Sequence, residues 1–446
     1  MRFLIIGADA AGMSAASRAR RNRKDLEIAV LERTRDVSYS ACGMPYNLAE
    51  PEREMDDLVV REASVFREKQ GIDLRLGHRA EAVNRTAKAV RGTQADGKSF
   101  ELAYDKLLIA TGARPVILDV PGADLPGVTG LKSLEDGRRI KQYLAGNDVR
   151  QAVIVGMGYI GMEMAEAFFE RGVRVDMVKP RQQLLPWMPD DLSDVVRKEL
   201  ETHLVRVHTG EALRSIERSG KRLSVTCTNL RLETDLVLFA AGVRPNSELA
   251  AEAGLDLGPH NAVAVDRACR TSDPDIYATG DCADAFHVVT GERTWVPLAL
   301  RANRGGRAVA DHVTGREVSL DGVAGTAVFK VFDLQVARTG LSMAEAGEAG
   351  FDPVEAVIFA RSRAHRHPGA SQIGVQMVGD RASGRLLGVQ MVGREGAAHR
   401  IDAPAVALHA RMTVEQFHEC DLAYAPPFGA TWDPMHIAAQ QLMKKL

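Results

Sequence analysis

The chain has 446 residues, of which 45% are hydrophobic and 26% are charged. This is the composition of an ordinary globular protein, and it excludes a largely disordered one. At roughly 100–200 residues per domain, the length predicts two to four domains. The 57 basic and 59 acidic residues leave a net charge of −2, which argues against a general nucleic-acid binder. No apolar run approaches the roughly 20 residues of a membrane span, so we expect neither signal peptide nor anchor, and a cytoplasmic location.

Five cysteines are spread along the chain: Cys42, Cys227, Cys269, Cys282 and Cys420. Their spacing contains no CxxC pair and no zinc-ligand pattern, and the set is too sparse for a disulfide framework. Such a set is typical of a reducing compartment. It leaves open which cysteine, if any, does chemistry.

The N-terminal segment predicts a βαβ unit. The apolar run at 2–6 leads into a glycine turn, a helix over about 11–24 and a second strand at 28–32. The same order of strand, glycine turn, helix and strand recurs at 152–178. Because parallel βαβ units with a glycine-rich first turn are typical of nucleotide-binding domains, the sequence predicts an α/β protein with two Rossmann-like dinucleotide-binding domains.

Later segments complete these units. The apolar stretch at 105–112 has a counterpart at 235–246, and the segment at 269–281 predicts a strand that returns to the first unit. The last part of the chain alternates polar and apolar residues, which predicts an α+β domain with an antiparallel sheet. The predicted domains are a first nucleotide-binding domain at 1–115 and 249–325, a second one at 116–248, and a C-terminal domain at 326–446.

The second glycine loop is a full GxGxxG motif, formed by Gly156, Gly158 and Gly161. These glycines allow a tight turn and the close approach of a pyrophosphate to the helix N-terminus. The following strand ends without the acidic residue that would bind a ribose hydroxyl, and Lys179 and Arg181 stand there instead. Basic side chains attract a 2′-phosphate, so we expect a preference for NADPH over NADH. The alternative is that both are ordinary surface charges.

The first glycine loop runs from Gly7 through Ala8 to Gly12, with Asp9 in the place of the middle glycine. Glu32 ends the following strand, where an acidic side chain can accept hydrogen bonds from a ribose. The whole unit therefore predicts a second dinucleotide site, although its fingerprint is imperfect.

Cys42 lies in the segment SYSACGMPY at 38–46, shortly after the second strand. With this segment and the two glycine loops, the chain resembles the flavin-dependent pyridine nucleotide–disulfide oxidoreductases. Within them it is most similar to the single-cysteine branch, and especially to the coenzyme A-disulfide reductases. Further matching motifs occur at Ala110–Gly112, Ala278–Asp281, Val296–Ala299 and Ala423–Pro427.

The resemblance implies FAD in the first domain, NAD(P)H in the second, and a homodimer built through the C-terminal domain. It implies that Asp281 binds the ribityl chain of the flavin and that Tyr424 reaches the active site of the partner subunit. The residues that it implies for FAD are Gly7, Ala8, Gly12, Glu32, Arg33, Ala110, Thr111, Gly112, Gly280, Asp281, Pro297 and Ala299.

Glutathione-reductase-like relatives carry a second cysteine five residues after the first, but this chain has Asn47 there. A single Cys42 must store its oxidation as a mixed disulfide with a small thiol, or as a sulfenic acid. The oxidases and peroxidases of the branch carry a histidine where this chain has Ala10, which favours thiol exchange. We therefore expect reduction of coenzyme A disulfide or coenzyme A persulfide. The alternatives are an NAD(P)H oxidase or peroxidase that uses a Cys42 sulfenic acid, and a non-enzymatic flavin redox sensor.

The resemblance also assigns substrate contacts, at Ser14, Arg18, Arg21, Ser38, Lys69 and Asn303. Without it, the charged end of the first helix would read as a solvated surface. One departure is that Arg366 and His367 replace the tyrosine pair of coenzyme A-disulfide reductases. His367 is a candidate general acid in place of a tyrosine, and the alternative is a changed substrate. No third ligand accompanies His365 and His367, so no metal site is expected.

Overall fold

The computed structural model describes residues 1–446 and has the mixed α/β architecture that the sequence predicts. Short runs of apolar residues form the buried strands, as is usual in parallel sheets covered on both faces. Up to residue 115 the elements are β1 (Arg2–Ile6), α1 (Ala10–Asn22), β2 (Glu27–Glu32), α2 (Met44–Ala49), β3 (Asp73–Leu76), β4 (His78–Asn84), β5 (Ala89–Gln94), β6 (Ser99–Ala103), β7 (Lys106–Ile109) and β8 (Ala113–Pro115). A 3-10 turn at Ala41–Gly43 leads into α2.

The middle of the chain repeats this plan. Its elements are β9 (Val128–Gly130), α3 (Leu134–Gly146), β10 (Gln151–Val155), α4 (Tyr159–Glu170), β11 (Arg174–Lys179), α5 (Asp190–Thr202), β12 (Arg206–Thr209), β13 (Leu213–Ser219), β14 (Arg222–Cys227), β15 (Arg231–Thr234), β16 (Leu236–Phe239) and β17 (Val243–Pro245). The chain then returns with α6 (Glu248–Glu252), β18 (Ile276–Ala278), β19 (Ala285–Phe286), β20 (Arg293–Thr294) and α7 (Ala299–Val313).

The remaining elements form the C-terminal part. They are β21 (Ala327–Val331), β22 (Leu334–Gly340), α8 (Met343–Glu348), β23 (Pro353–Arg361), β24 (Gln372–Asp380), β25 (Leu386–Gly393), α9 (Ala397–Arg400), α10 (Asp402–His409), α11 (Val414–His418) and α12 (Pro434–Met443). None of the helices of the chain is both long enough and apolar enough to cross a membrane.

The first large sheet is parallel, in the order β18–β7–β1–β2–β3. As predicted, the segment around residue 276 returns to this sheet and pairs with β7. The carboxyl ends of parallel strands meet at one edge of the sheet, where ligands bind in folds of this class. Gly7, Glu32, Ala110 and Thr279 all lie at that edge, because each ends or directly follows one of the strands.

The second large sheet is also parallel, in the order β12–β11–β10–β16–β9. Its carboxyl edge carries Gly156, Lys179 and Ala240. An antiparallel pair of short strands, β8 and β17, connects the two parallel units. The prediction of two Rossmann-like units is therefore confirmed, whereas the domain boundaries near 115, 248 and 325 stay predictions.

The third large sheet is antiparallel, in the order β21–β22–β25–β24–β23. Side chains of β24 and β25 are fully buried in its core, together with residues of α10, α11 and α12. Glu166 of α4 links this sheet to the second unit: its carboxylate accepts a hydrogen bond from the backbone amide of Phe332 (2.9 Å) and pairs with Lys330. The α+β character predicted for the C-terminal part is thus observed.

Candidate active site

Cys42 is the one cysteine of the chain that is exposed. It lies in the 3-10 turn that precedes α2. Three of the other cysteines are buried and one is partly buried, in the order Cys227, Cys269, Cys282 and Cys420. Asn47, five residues after Cys42, is fully buried, and its side-chain amide donates to the carbonyl oxygen of Glu54 (2.8 Å). The neighbourhood of Cys42 therefore offers a single thiol.

Hydrogen bonds hold the segment of Cys42 on two sides. On one side, the amide of Ser38 donates to the backbone of the first glycine loop (2.9 Å), and the amide of Tyr39 donates to Oδ1 of Asp9 (3.2 Å). On the other side, the amide of Ser40 donates to the carbonyl oxygen of Leu58 (2.8 Å). The segment of Cys42 is thereby fixed to the edge of the first sheet.

The charges around Cys42 are mostly negative. Although the Cys42 side chain is exposed, desolvation by the surrounding protein raises the pKa of its thiol. The carboxylate of Glu163 raises that pKa further, whereas the ammonium group of Lys132 acts in the opposite direction. Lys132 is itself paired with Asp281 (Nζ–Oδ2 2.8 Å). Burial also raises the pKa of the Asp9 carboxyl to about 6. The groups of the chain alone therefore disfavour the thiolate, which is the form that attacks a disulfide.

Tyr46 and Glu163 form a hydrogen-bonded pair that the sequence analysis did not assign. The phenol of Tyr46 donates to Oε1 of Glu163 (2.9 Å). Burial raises the pKa of the Glu163 carboxyl to about 7, and burial beside that carboxyl raises the pKa of the Tyr46 phenol. A sequence signal exists, because Glu163 follows the GxGxxG motif on one helix and Tyr46 lies one helical turn after Cys42.

The first glycine loop has the shape of a cradle for a dinucleotide. Gly7 has a φ of 107°, and a Cβ there would lie 2.2 Å from the carbonyl oxygen of Ala110. A Cβ at Gly12 would lie 1.9 Å from the carbonyl oxygen of Gly7. The Oε2 of Glu32 accepts a hydrogen bond from the amide of Ala8 (3.0 Å). Only glycine fits at both loop positions, and Glu32 fixes the loop at the strand end.

A cavity of about 520 Å³ opens beside this loop. Its lining includes several predicted FAD contacts, namely Gly7, Glu32, Arg33 and Thr111. Gly112, with a φ of 68°, faces open space next to them. A cavity of this size, with a carboxylate at its wall and a tight glycine turn at its end, fits the adenosine part of FAD.

A larger cavity of about 830 Å³ lies where the two nucleotide-binding units meet the C-terminal part. Its walls include Lys132 and Gly158 of the second unit, Asp281 and Pro297 of the first unit, and Arg338 of the C-terminal part. Two further predicted FAD residues, Gly280 and Ala299, flank this wall: Gly280 precedes Asp281, and Ala299 begins α7. The residues predicted for FAD and for NAD(P)H therefore meet in one space.

The end of β11 carries the two predicted NADPH contacts. Lys179 is half-buried, its Nζ donates to the carbonyl oxygen of Leu184 (3.0 Å), and burial lowers the pKa of its ammonium group. Arg181 is exposed and forms no ion pair. Gly156 has a φ of 110°, and a Cβ there would lie 2.3 Å from the carbonyl oxygen of Ala240. Gly161 packs in the same way against the backbone of Gly156.

Four of the six residues predicted for substrate lie on α1 and α7, namely Ser14, Arg18, Arg21 and Asn303. Ser14 donates to the side-chain oxygen of Asn303 (2.6 Å). Arg18 is engaged by Asp311 in a two-bonded ion pair, with Nε–Oδ1 at 2.8 Å and Nη2–Oδ2 at 3.1 Å. The two other basic residues predicted for substrate, Arg21 and Lys69, form no ion pair. The last predicted contact, Ser38, lies in the segment that leads to Cys42. The pairing of Arg18 with Asp311 could not be predicted from the sequence, because the two residues lie far apart in the chain.

The predicted residues of the C-terminal part form a separate group. The loop of His367 adjoins the segment of Tyr424 through a hydrogen bond from the amide of Ala364 to the carbonyl oxygen of Pro426 (3.2 Å). Arg400 donates to backbone carbonyls of both stretches. Tyr424 is half exposed, and within one chain neither side chain hydrogen-bonds to the segment at 38–46.

Comparison with known proteins follows the same division of the chain. The family model described as pyridine nucleotide-disulphide oxidoreductase matches residues 1–306. The model of the dimerisation domain of this family matches residues 326–435.

Three similar proteins cover 98% or more of the chain. An NAD(P)H sulfur oxidoreductase (CoA-dependent) of Pyrococcus abyssi is 39% identical over 98% of this chain and 97% of its own length. A protein of Methanocaldococcus jannaschii named NADH oxidase is 34% identical over 100% of this chain and 99% of its own length. The solved structure of an NAD-dependent persulfide reductase from A. fulgidus superposes with a TM-score of 0.96 at 35% identity, covering 100% of this chain and 83% of that one. The family predicted from the motifs is confirmed, and this chain belongs to the pyridine nucleotide-disulphide oxidoreductases.

Proposed function

We propose that this chain is an FAD-dependent NAD(P)H:disulfide oxidoreductase that reduces coenzyme A disulfide or coenzyme A persulfide through the single thiol of Cys42. The observation that carries the proposal is the exposed, unpaired Cys42 at the carboxyl edge of a dinucleotide-binding sheet. The names of the relatives from Pyrococcus abyssi and A. fulgidus support the same substrate class.

The residues present fit FAD. The turn from Gly7 to Gly12 leaves no room for side chains, Glu32 lies at the end of β2, and Asp281 borders the space shared with the second unit. When bound, FAD supplies two-electron transfer between a nicotinamide and a disulfide. In this proposal the remaining residues of the FAD, NAD(P)H and substrate sets keep the roles expected from the sequence.

Cys42 provides the covalent chemistry. Its thiolate attacks one sulfur of coenzyme A disulfide, forming a mixed disulfide and releasing one coenzyme A thiolate. With a persulfide, attack on the inner sulfur forms the same mixed disulfide and releases hydrosulfide. Two electrons from NAD(P)H then cleave the mixed disulfide and regenerate the Cys42 thiolate and a second coenzyme A thiolate.

The Tyr46–Glu163 pair supplies the proton for the leaving thiolate. The carboxyl of Glu163 has a pKa of about 7, so it holds a proton near neutral pH and can give it up. Its Oε1 accepts the hydrogen bond of the Tyr46 phenol (2.9 Å), and its charge acts directly on the Cys42 thiol. This assignment gives the chain an acid group although Ala10 offers none.

Tyr424 and His367 would act on the Cys42 of a partner subunit in a homodimer. The match of the dimerisation-domain model supports a homodimer. Neither side chain hydrogen-bonds to the segment at 38–46 of its own chain, which is consistent with action across the interface. Mixing subunits tests this arrangement. Inactive Cys42→Ser and Tyr424→Ala proteins, unfolded and refolded together, should regain about a quarter of the native activity. The reason is that half of the dimers are mixed and each mixed dimer contains one intact site.

A panel of acceptors tests the proposed function. We expect rapid NADPH oxidation with coenzyme A disulfide or persulfide, and slow oxidation with glutathione disulfide. Cys42→Ser should abolish the reaction, whereas Cys227→Ser, which removes a buried thiol elsewhere, should leave it unchanged. Full disulfide-dependent activity in Cys42→Ser would overturn the proposal.

A second candidate function is an NADH oxidase, which the name of the Methanocaldococcus jannaschii relative favours. Here Cys42 would cycle through a sulfenic acid. Oxygen-dependent consumption of NADH at a rate that no disulfide increases would establish it. Oxidation only upon addition of a coenzyme A disulfide would exclude it.

A further inference from the structure

Asp9 is an unusual residue for its position. It stands where the dinucleotide fingerprint has its middle glycine, which lets the backbone approach a pyrophosphate. Its φ of −106° and ψ of −150° are extended backbone, so this position does not require glycine conformationally. A carboxylate at a phosphate-binding turn repels the phosphate. An aspartate at this position therefore needs a role other than phosphate binding.

The side chain of Asp9 is directed to the redox segment. Its Oδ1 accepts the amide hydrogen of Tyr39 (3.2 Å), and that amide has no other acceptor. Asp9 makes no capping hydrogen bond to its own helix, although it occupies the N-cap of α1. The usual reason for an aspartate at a helix start is therefore absent.

The segment needs such a restraint. Ser38, next to Tyr39, has a φ of 46°, which lies in the left-handed region that disfavours residues other than glycine. A residue in that region keeps its conformation only when the surrounding structure holds it. The amides of Ser38, Tyr39 and Ser40 are all bonded outward, to the glycine loop and to Leu58, and Cys42 follows two residues later.

We propose that Asp9 is a positioning residue for the redox cysteine: its side-chain oxygen fastens the Tyr39 backbone to the dinucleotide-binding turn and so fixes Cys42 relative to the cofactor site. The proposal deepens the proposed function and rests on it in one respect, namely that Cys42 is the redox thiol. The same side chain faces Glu32, Lys132, Asp281 and the Tyr39 phenol, and its charge also acts on Cys42. Its replacement therefore has two separable effects, on position and on charge.

Hydrogen exchange of the FAD-bound protein measures the positional effect without any turnover. Asp9→Ala removes the acceptor, and we expect exchange of the Tyr39 amide to become at least about tenfold faster, as for an amide released to solvent. Asp9→Asn retains an acceptor oxygen and should stay within about twofold of the native rate. Asp57→Asn, which changes an exposed carboxylate of the same unit, is the matched control and should have no effect. Native-like exchange of the Tyr39 amide in Asp9→Ala would overturn the proposal.

Alkylation of Cys42 by iodoacetamide separates position from charge. In Asp9→Asn we expect the pH profile of alkylation to move to lower pH, because one negative charge near the thiol is gone. In Asp9→Ala we expect the same shift together with faster alkylation at high pH, where the thiol is ionised in every variant. Equal rates at high pH in native protein and Asp9→Ala would also overturn the proposal. Should Cys42→Ser prove fully active, the proposed function fails while both measurements on Asp9 remain valid.

Discussion

Asp311→Asn should strengthen the binding of coenzyme A disulfide. In the structure Asp311 occupies the Nε–Nη2 edge of Arg18, at 2.8 and 3.1 Å, and both side chains are about one-fifth exposed. In the proposed substrate site, a phosphate would compete with this carboxylate for that edge of the guanidinium. An asparagine accepts one hydrogen bond and carries no charge, so Arg18 is freed for a two-bonded phosphate contact.

The magnitude follows from the geometry. In the native protein a phosphate gains Arg18 only by displacing the carboxylate of Asp311. In Asp311→Asn it displaces an uncharged amide instead, which costs less, so we expect KM for coenzyme A disulfide to fall roughly fivefold. The gain should shrink at high salt, because exposed charges are screened. Pantethine, the disulfide without phosphates, is the matched substrate, and its KM should not change. Steady-state kinetics on both disulfides test this reasoning, and an equal fall in both KM values would refute it.

Three further predictions concern the cofactors and the proton. Arg181→Ala should raise KM for NADPH about tenfold and leave KM for NADH unchanged, because Arg181 is the exposed cation at the end of β11; equal changes for both would refute a phosphate contact. Glu163→Gln should remove a limb of the pH–kcat profile that falls as pH rises through about 7, because the carboxyl holds its proton below that pH and loses it above. A falling limb that persists in this variant would assign it to another group. Gly12→Ala should yield protein without FAD, since its Cβ would lie 1.9 Å from the carbonyl oxygen of Gly7; a normal flavin spectrum would contradict the assigned cradle.

Local sequence patterns predicted the parts of the fold that depend on local chemistry. The glycine turns, the buried strands and Glu32 all follow from rules that act over a few tens of residues. The return of β18 to the first sheet was also predicted, from the segment at 269–281. The structure confirms these features because each depends on neighbouring residues and on the local backbone, not on distant contacts.

Long-range pairing of polar side chains could not be predicted in this way. Arg18 meets Asp311 across two helices, and Lys132 meets Asp281 across two units. Neither pair leaves a periodic or spacing signal in one sequence. The negative surroundings of Cys42 leave no local signal for the same reason, because Glu163, which raises the pKa of the thiol, is far from it in the chain.

Those surroundings favour one way of storing the oxidised state of Cys42. Glu163, Asp281 and Asp9 all disfavour a negative charge on this sulfur, and Lys132 opposes them. A sulfenic acid at Cys42 would ionise at a cost in the same field, whereas a mixed disulfide carries no charge on either sulfur. The electrostatics therefore disfavour anionic forms of this sulfur, and within the proposed function they favour the mixed disulfide over an ionised sulfenic acid. With Asn47 buried where a second cysteine would be needed, the other sulfur of that disulfide has to come from the substrate.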